Sequence, residues 1–241
     1  MDLGLNGARV LVTGSTKGIG RAIADTFASE GANIGICSRN PADVANAVLA
    51  LKAKGIAAYG GAVDVSDGAA LKVWVGEMAQ QLGGIDVVVA NVSALAIGQD
   101  DESWEKGFST DMMGTVRLVN AAMPYLEKSD AGAIVTISSV SGREVDFAAG
   151  PYGTFKAAII HYTQGLANQL AGKGIRANTV SPGNTYFEGG VWNMIRDNPT
   201  GRMGTPQEMA NAVVFLASRA ASFITGTNLV VDGALTRGVQ F

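Results

Sequence analysis

Tyr152 and Lys156 stand four residues apart, and Ser139 precedes the tyrosine by thirteen positions. On a helix, residues four apart share a face. A free phenol has a pKa of about 10, and a nearby ammonium group favours its ionised form. Such a tyrosine can give a proton to a carbonyl oxygen or accept one from an alcohol. Ser139, with Ser138 and Ser141 as neighbouring alternatives, supplies a hydroxyl that can bind the reacting oxygen.

A glycine-rich turn near the start of the chain has the composition of a phosphate-binding loop. Its glycines, in the spacing Gly-x-x-x-Gly-x-Gly, lie between a predicted strand and a predicted helix. Glycine lets a backbone approach a pyrophosphate closely, and a helix start offers amide donors and positive potential. The turn therefore predicts a dinucleotide site with contacts from Gly14, Ser15, Lys17, Gly18, Ile19 and Gly20.

The residues that end the second predicted strand favour NADP over NAD. A carboxylate at this position accepts from the ribose 2′-hydroxyl of NAD, whereas an arginine suits a 2′-phosphate. This chain has Ser38 and Arg39 there, and Lys17 lies in the glycine-rich turn. Two cations and a hydroxyl can bind a dianion. We therefore expect NADP (NADPH) as the cofactor, with NAD less favoured.

Strand-like and helix-like segments alternate along the chain. Helical crossovers between strands predict parallel pairing, so we expect an α/β fold: one doubly wound Rossmann domain over 1–241 with a mainly parallel seven-stranded sheet. Ligands bind such sheets beyond the C-terminal strand ends. The predicted strands cover 9–13, 33–37, 56–63, 86–90, 133–137, 175–180 and 229–231. The predicted helices end near 30, run from 41 to about 54, and cover 66–82, 101–128, 151–173 and 206–217.

Composition argues against several other classes of protein. The net charge of −3 gives no general case for nucleic-acid binding. Cys37 is the one cysteine, so an internal disulfide is excluded, and with His161 as the one histidine no clustered metal site is expected. The sequence has no uninterrupted apolar run of about 18 residues and no N-terminal signal segment. We therefore expect a cytoplasmic protein with a small-molecule substrate and no membrane partner.

The Thr-Gly-x-x-x-Gly-x-Gly pattern at 13–20, Ser139 and the Tyr152–Lys156 pair, in this order, resemble the short-chain dehydrogenase/reductase family over nearly the whole chain. The resemblance implies hydride transfer between a nicotinamide and a ketone or secondary alcohol, with Lys156 also holding the nicotinamide ribose. A 3-oxoacyl thioester is one of several substrate classes it allows. It also implies a homotetramer or homodimer, paired through helices whose outer faces would include Val116, Val119, Ile160 and Leu166.

The same resemblance assigns further contacts. Asp64 and Val65 resemble the family's adenine-contacting pair, and Asn91 resembles part of its Asn-Asn-Ala-Gly segment, which here reads Ala-Asn-Val-Ser over 90–93. The stretch that contacts the carboxamide matches Pro182, Gly183 and Thr185. The expected pocket walls are mostly apolar, which indicates a substrate with a hydrophobic portion: Ala94, Leu95, Val145, Phe147, Tyr186, Phe187 and Trp192.

Two departures from the family pattern bear on activity. Asp111 stands where the family has a catalytic asparagine; it keeps the backbone carbonyl used in a proton relay, but its charge is expected to bind Lys156 and reduce activity. The stretch 183–202, which forms the lid over the substrate in the family, is shorter than usual, so either the pocket is open or residues are missing from the sequence. A catalytically impaired NADPH-binding regulator is therefore the alternative, and a structural subunit without nucleotide binding is a third hypothesis.

Overall fold

The computed structural model describes residues 2–186 and 198–238. Seven strands in these residues form one sheet, in which every neighbouring pair is parallel. The strands are β1 (Arg9–Thr13), β2 (Asn33–Ser38), β3 (Ala58–Ala62), β4 (Val87–Ala90), β5 (Ala133–Ile137), β6 (Arg176–Pro182) and β7 (Asn228–Val231). Their order across the sheet is β3-β2-β1-β4-β5-β6-β7. The predicted doubly wound parallel sheet is confirmed.

Helices cover both faces of this sheet. They are α1 (Gly18–Ser29), α2 (Pro41–Lys52), α3 (Gly68–Leu82), α4 (Asp101–Lys106), α5 (Met113–Leu126), α6 (Pro151–Leu170) and α7 (Pro206–Ala217). A π-helical turn, Gly107–Met112, joins α4 to α5, and short 3-10 turns lie at Val140–Gly142, Ala171–Lys173 and Arg219–Ala221. No helix in the described residues is long and apolar enough to cross a membrane.

Two apolar cores explain why the central strands read as continuous hydrophobic runs. Val10 and Val12 of β1 face the core formed with α1, α2 and α7. Leu11, between them, faces the core formed with α3, α5 and α6. Since side chains alternate along a strand, a strand buried on both faces is apolar at every position.

The strand order reverses between β1 and β4, because the chain moves outward through β2 and β3 on one side and through β5 to β7 on the other. Loops that leave the C-terminal ends of two such strands go to opposite faces and open a crevice. Thr13 ends β1 and Ala90 ends β4 at this point. The glycine-rich turn therefore begins at the place where the fold provides room for a ligand.

The single helix predicted over 101–128 is divided into α4, the π-helical turn and α5. The cause lies in packing: a Cβ on Gly107 would lie 2.8 Å from Cδ2 of Phe155, so α6 approaches the backbone closely here. A π turn adds a residue to one helical turn and rotates the side chains that follow. Local periodicity did not predict this break, because the contact that accompanies it comes from a helix distant in sequence.

The helix predicted from residue 66 begins instead at Gly68. The Asp67 carboxylate caps it by accepting from the amides of Ala69 and Ala70, both at 3.0 Å. Two residues expected on outer helix faces, Val119 and Leu166, were assigned wrongly. Both are buried in the core, with exposures of 0% and 8%.

Candidate active site

The glycine-rich turn is held open toward the start of α1. Gly14 and Gly18 have φ of +65° and +57°, conformations that favour glycine. The Gly14 amide donates to the Cys37 carbonyl at 2.9 Å, which fixes the turn against β2. Lys17 is the N-cap residue of α1, and no side chain caps the helix there. The first amides of α1 are thus available to an anionic ligand.

Asn91 fastens this turn to the neighbouring strand. Its side-chain amide donates to the carbonyls of Thr13 at 3.0 Å and Gly14 at 3.2 Å. Its backbone amide donates to the Thr13 hydroxyl at 3.1 Å. The family motif indicated that Asn91 contacts the cofactor. In the structure, the side chain of Asn91 bonds to the glycine-rich turn and to the strand end before it.

Gly20 is the position where this arrangement tolerates least change. A Cβ there would lie 2.2 Å from the Gly14 carbonyl oxygen and 2.4 Å from Nδ2 of Asn91. We expect Gly20→Ala to displace the turn, lower the free energy of unfolding by about 1–3 kcal/mol and weaken NADPH binding roughly tenfold or more. Thermal melting and fluorescence titration with NADPH measure both effects. Gly165→Ala, where no atom lies within 4 Å of the new Cβ, is the matched control; equal behaviour of the two variants would contradict the prediction.

Three of the predicted cofactor contacts have side chains that pack or form hydrogen bonds within the protein. Ser15 is fully buried, and its hydroxyl donates to the Val12 carbonyl at 2.8 Å. Val65 is 5% exposed and packs where a Cβ on Gly114 would touch it. Ile19 packs against the core. Ser15 and Val65 therefore offer a ligand mainly their backbone atoms, whereas the partly buried Ile19 keeps some of its side chain accessible.

The groups that the sequence predicted to bind a 2′-phosphate lie at the end of β2 and in the glycine-rich turn. Ser38 ends β2 half-buried, and Arg39 and Lys17 are exposed. Asp64 accepts from the Ser66 amide at 2.9 Å and from its hydroxyl at 2.7 Å. Burial opposes ionisation of Asp64, but these hydrogen bonds and the charge of Arg39 outweigh it and lower the pKa of the carboxyl group. Arg39 therefore lies within electrostatic reach of an ionised Asp64.

The end of β5 and helix α6 are bonded directly to each other. The Ser138 hydroxyl donates to the Lys156 carbonyl at 2.8 Å, and Nζ of Lys156 donates to the Ile137 carbonyl at 3.1 Å. A Cβ on Gly142 would lie 2.7 Å from the Lys156 carbonyl carbon, so the turn after β5 packs on the α6 backbone. Because the Ser138 hydroxyl is used in this joint, Ser139 is the serine better placed to meet a ligand.

Helix α6 brings Tyr152 and Lys156 together as their spacing predicted. Nζ of Lys156 lies 5.6 Å from the centroid of the Tyr152 ring. The Tyr152 amide donates to the Ala96 carbonyl at 3.1 Å, which fixes the start of α6 against the loop after β4. Tyr152 is half-buried, whereas Lys156 is 2% exposed. The tyrosine can therefore meet a substrate from one side and a cation from the other.

Asp111 binds Lys156, as its charge predicted. Oδ1 of Asp111 lies 3.2 Å from Nζ of Lys156, and each side chain is 2% exposed. The same carboxylate accepts from the Ser93 hydroxyl at 2.6 Å and from the Ala94 amide at 2.7 Å. Ser93, which stands where the family's Asn-Asn-Ala-Gly segment ends in glycine, is thus joined to Asp111 by one hydrogen bond. Sequence reasoning did not foresee this link.

The backbone carbonyl of Asp111 is also engaged, since it accepts from the Thr115 hydroxyl at 2.7 Å. Asp111 lies in the π-helical turn, a conformation often found at functional sites. Among the residues that the structure describes, Lys156 thus has two oxygen partners, the Asp111 carboxylate and the Ile137 carbonyl. An ammonium group has three donors, so one remains for a ligand.

Ser139 begins a second polar chain, which the sequence did not reveal. Its hydroxyl lies 3.3 Å from the Ser141 hydroxyl and accepts from the Ser141 amide at 3.2 Å. The Ser141 hydroxyl donates to Oδ2 of Asp146 at 2.5 Å. Oδ1 of Asp146 accepts from the Ala148 amide at 2.8 Å. A carboxylate therefore lies two hydrogen bonds from Ser139.

The remaining predicted contacts lie at the end of β6. Pro182 ends this strand, and the Gly183 amide donates to the Val231 carbonyl at 3.0 Å. The Thr185 hydroxyl donates to the Gly183 carbonyl at 3.1 Å. Among the expected pocket walls, the structure leaves a set of apolar side chains exposed: Leu95, Val145, Phe147 and Tyr186. Phe187, Trp192 and most of the predicted lid over 183–202 lie outside the described residues.

In the part of the chain that the structure covers, no group of three His, Cys, Asp or Glu residues could hold a metal ion. Cys37 is buried, and burial raises the pKa of its thiol to about 12. The thiol therefore stays protonated near neutral pH. The reactive groups of the site are the hydroxyls, the phenol and the Lys156–Asp111 pair.

Several known proteins are similar to this chain. A family model described as enoyl-(acyl carrier protein) reductase matches residues 14–236. Isoepoxydon dehydrogenase of Penicillium expansum is 41% identical over 259 residues, with 100% of this chain and 99% of that protein covered. That span exceeds 241 residues, so this relative carries residues that the chain lacks. The 3-oxoacyl-[acyl-carrier-protein] reductase of Escherichia coli is 33% identical, with 97% and 99% covered.

A solved structure extends the similarity to three dimensions. L-sorbose reductase from Gluconobacter frateurii, complexed with NADPH and L-sorbose, matches with a TM-score of 0.92 at 29% identity. The match covers 99% of this chain and 100% of that one. Because the family model spans nearly the whole sequence and the relatives match it from end to end, the chain belongs to the short-chain dehydrogenase/reductase family of oxidoreductases.

Proposed function

We propose that this protein is an NADP-dependent reductase that transfers a hydride between the nicotinamide and a ketone, or a secondary alcohol in the reverse direction. The observation that carries the proposal is the joint between β5 and α6. There Lys156 is bonded to the strand end that leads into Ser139, and it lies beside the ring of Tyr152. The phenol of Tyr152, the ammonium of Lys156 and the hydroxyl of Ser139 thus lie at the same edge of the sheet as the glycine-rich turn.

The residues of the turn fit a dinucleotide. The start of α1 is uncapped, and a Cβ on Gly18 would meet no atom within 4 Å, so donors and open space coincide. The backbone amides of the turn would hold the pyrophosphate, and the free donor of Lys156 would hold the nicotinamide ribose. When bound, the cofactor supplies the hydride that is exchanged with the carbonyl carbon.

The protein's part in reduction is proton delivery and charge stabilisation. Tyr152 gives its phenolic proton to the carbonyl oxygen as that oxygen gains negative charge. Ser139 donates a hydrogen bond to the same oxygen and positions it. The Lys156 ammonium favours the phenolate that remains on Tyr152. One hydride on carbon and one proton on oxygen convert the ketone to the alcohol, and oxidation reverses each step.

NADPH consumption with a panel of ketones, diketones and 3-oxoacyl esters tests the activity. We expect at least one class to be reduced, with one alcohol formed for each NADPH consumed. The competing hypothesis, an impaired regulator, is motivated by the Lys156–Asp111 pair. Tight NADPH binding without turnover of any carbonyl would favour the regulator.

Ser38, Arg39 and Lys17 support the preference for NADP. Where a carboxylate would favour NAD, they supply a hydroxyl and two cations. The NADPH bound by the sorbose reductase supports this preference. Hydrogen bonds to charged groups contribute about 1.5–3 kcal/mol, so we expect Arg39→Ala to raise the KM for NADPH roughly ten- to hundredfold and leave that for NADH nearly unchanged. Steady-state kinetics with both cofactors measure this. Arg219→Ala, an exposed residue after α7, is the control, and a parallel rise for NADPH and NADH would refute the preference.

Assembly and location complete the proposal. A homotetramer or homodimer is supported by an aromatic cluster of Trp104, Phe108 and Phe155, in which Trp104 is 37% and Phe108 50% exposed. Light scattering coupled to size-exclusion chromatography measures the oligomer directly. A cytoplasmic location fits the single buried cysteine, which needs no oxidising compartment.

A further inference from the structure

The polar chain from Ser139 to Asp146 has a feature that the proposed reaction does not use. As arranged, the Ser139 hydroxyl donates to Ser141, and Ser141 donates to Asp146. Both hydroxyl protons therefore point along the chain toward the carboxylate. To bind a substrate carbonyl, Ser139 must turn its proton away from Ser141 and toward the substrate. The Ser141 hydroxyl then still donates to Asp146, but its oxygen no longer accepts a hydrogen bond from Ser139.

This change leaves acceptor capacity next to Ser139. The Ser141 oxygen gains a free lone pair once Ser139 has turned, and Oδ2 of Asp146 has a lone pair beyond the one that the Ser141 hydroxyl occupies. An acceptor bonded to a charged carboxylate is strong when a donor meets it and costly when none does. Water or a donor carried by the substrate must fill the position. A hydroxyl on the substrate close to its carbonyl group meets this need without an added water molecule.

The charge distribution points the same way. The carboxylate of Asp111 is compensated by Lys156 at 3.2 Å. Within the described residues, by contrast, no lysine or arginine forms an ion pair with Asp146, whose partners are the Ser141 hydroxyl and the Ala148 amide. A carboxylate whose partners among the described residues are all uncharged attracts hydrogen-bond donors and repels anionic groups. This region of the site therefore disfavours a substrate that carries a phosphate or carboxylate near its carbonyl.

We propose that Asp146, acting with Ser141, is a specificity-determining residue that selects ketones bearing a hydroxyl group near the carbonyl. The proposal rests on the proposed reductase activity and names its substrate class: an uncharged hydroxyketone. The hydroxyl donates to the Ser141–Asp146 acceptor while the carbonyl accepts from Ser139 and Tyr152. The exposed Val145 and Phe147, which flank Asp146 in sequence, offer apolar surface to the rest of the substrate.

The substitution Asp146→Asn separates this role from a purely structural one. An asparagine oxygen can still accept from the Ala148 amide, so the turn at 146–148 is preserved. Its amide nitrogen cannot accept from Ser141 or from a substrate. Glu144→Gln is the matched control, because Glu144 lies in the same loop but accepts from the amides of Arg237 and Gly238 instead. The control removes a charge of the same sign without touching the chain to Ser139.

The kinetic test compares cyclohexanone with 2-hydroxycyclohexanone. We expect the wild-type protein and Glu144→Gln to prefer the hydroxylated ketone roughly tenfold or more in kcat/KM, mainly through KM. In Asp146→Asn the preference should disappear, because kcat/KM for the hydroxylated ketone falls more than kcat/KM for cyclohexanone. Equal losses for both ketones would mean that Asp146 acts only through Ser139. That result, or an unchanged preference, would overturn the proposal.

A binding measurement keeps this test separate from the activity. Calorimetric titration of the NADP-loaded protein with cyclohexane-1,2-diol and cyclohexanol needs no turnover. We expect the diol to bind more tightly than cyclohexanol, and Asp146→Asn to remove the difference. If no ketone is reduced yet the diol preference depends on Asp146, the proposed function fails and the specificity proposal stands. If ketones are reduced but diol and alcohol bind equally, the specificity proposal fails alone.

Discussion

Tyr152→Phe is expected to reduce the rate of NADPH-dependent ketone reduction by about 10²–10⁴-fold. Phenylalanine preserves the ring that lies 5.6 Å from Nζ of Lys156, so packing at the start of α6 changes little. What is lost is the proton that the carbonyl oxygen must receive. Steady-state NADPH consumption measures the rate, and circular dichroism with NADPH titration shows whether the fold and the cofactor site survive.

Tyr162→Phe provides the control on the same helix. Tyr162 is partly buried against the core, and burial raises the pKa of its hydroxyl, which disfavours its use as an acid near neutral pH. This variant should keep the rate within about twofold of the wild type. If Tyr152→Phe retained more than about a tenth of the wild-type rate, proton delivery would have to come from another group.

The second large effect concerns the buried ion pair. Asp111→Asn removes the negative charge that compensates the Lys156 ammonium, which is 2% exposed and whose other partner among the described residues is the neutral Ile137 carbonyl. It also leaves the Ser93 hydroxyl and the Ala94 amide competing for one acceptor oxygen. Breaking one side of a buried pair costs about 3–5 kcal/mol. We expect Tm of the cofactor-free protein to fall by roughly 10 °C, measured by thermal melting.

Glu102→Gln provides the control, because it removes an exposed pair with Lys106 and should leave Tm nearly unchanged. An unchanged Tm in Asp111→Asn would mean that the Lys156–Asp111 contact does not contribute to stability.

The sheet could be predicted closely because its central strands are buried on both faces. Two predicted strands, 9–13 and 133–137, match β1 and β5 at both ends. Each has three consecutive apolar residues, at 10–12 and 133–135, and a short apolar run between turn signals has few other interpretations. The division of the helix predicted over 101–128 was missed, since it coincides with Gly107 lying against Phe155 of a different helix.

The candidate site likewise contains contacts that the sequence predicted and contacts that it did not. Motif spacing along the chain predicted Gly14, Gly18 and Gly20, and the four-residue step on α6 predicted the contact of Tyr152 with Lys156. The pairing of Asp111 with Lys156 was also predicted, because an acid placed in a family motif beside a lysine has an evident partner. These contacts are local in sequence or carried by a motif.

The contacts that were missed join residues with no shared motif. Ser93 reaches Asp111 through the loop after β4, and Ser141 reaches Asp146 through an irregular turn whose course no periodicity describes. Asn91 stays a predicted cofactor contact, and the bonds from its side chain to the carbonyls of Thr13 and Gly14 were not predicted. Side-chain hydrogen bonds in loops depend on the final backbone path, which residue types alone do not determine.

Transfer of deuterium from NADPH that carries deuterium at both C4 positions of the nicotinamide follows the hydride itself and would be measured first. The protein is incubated with this cofactor and with each carbonyl compound of the panel, and the products are analysed by mass spectrometry and NMR. We expect an alcohol with one deuterium on the carbinol carbon, formed by the wild type and lost with Tyr152→Phe. Absence of labelled alcohol from every compound, while NADPH still binds, would contradict the assignment as a reductase.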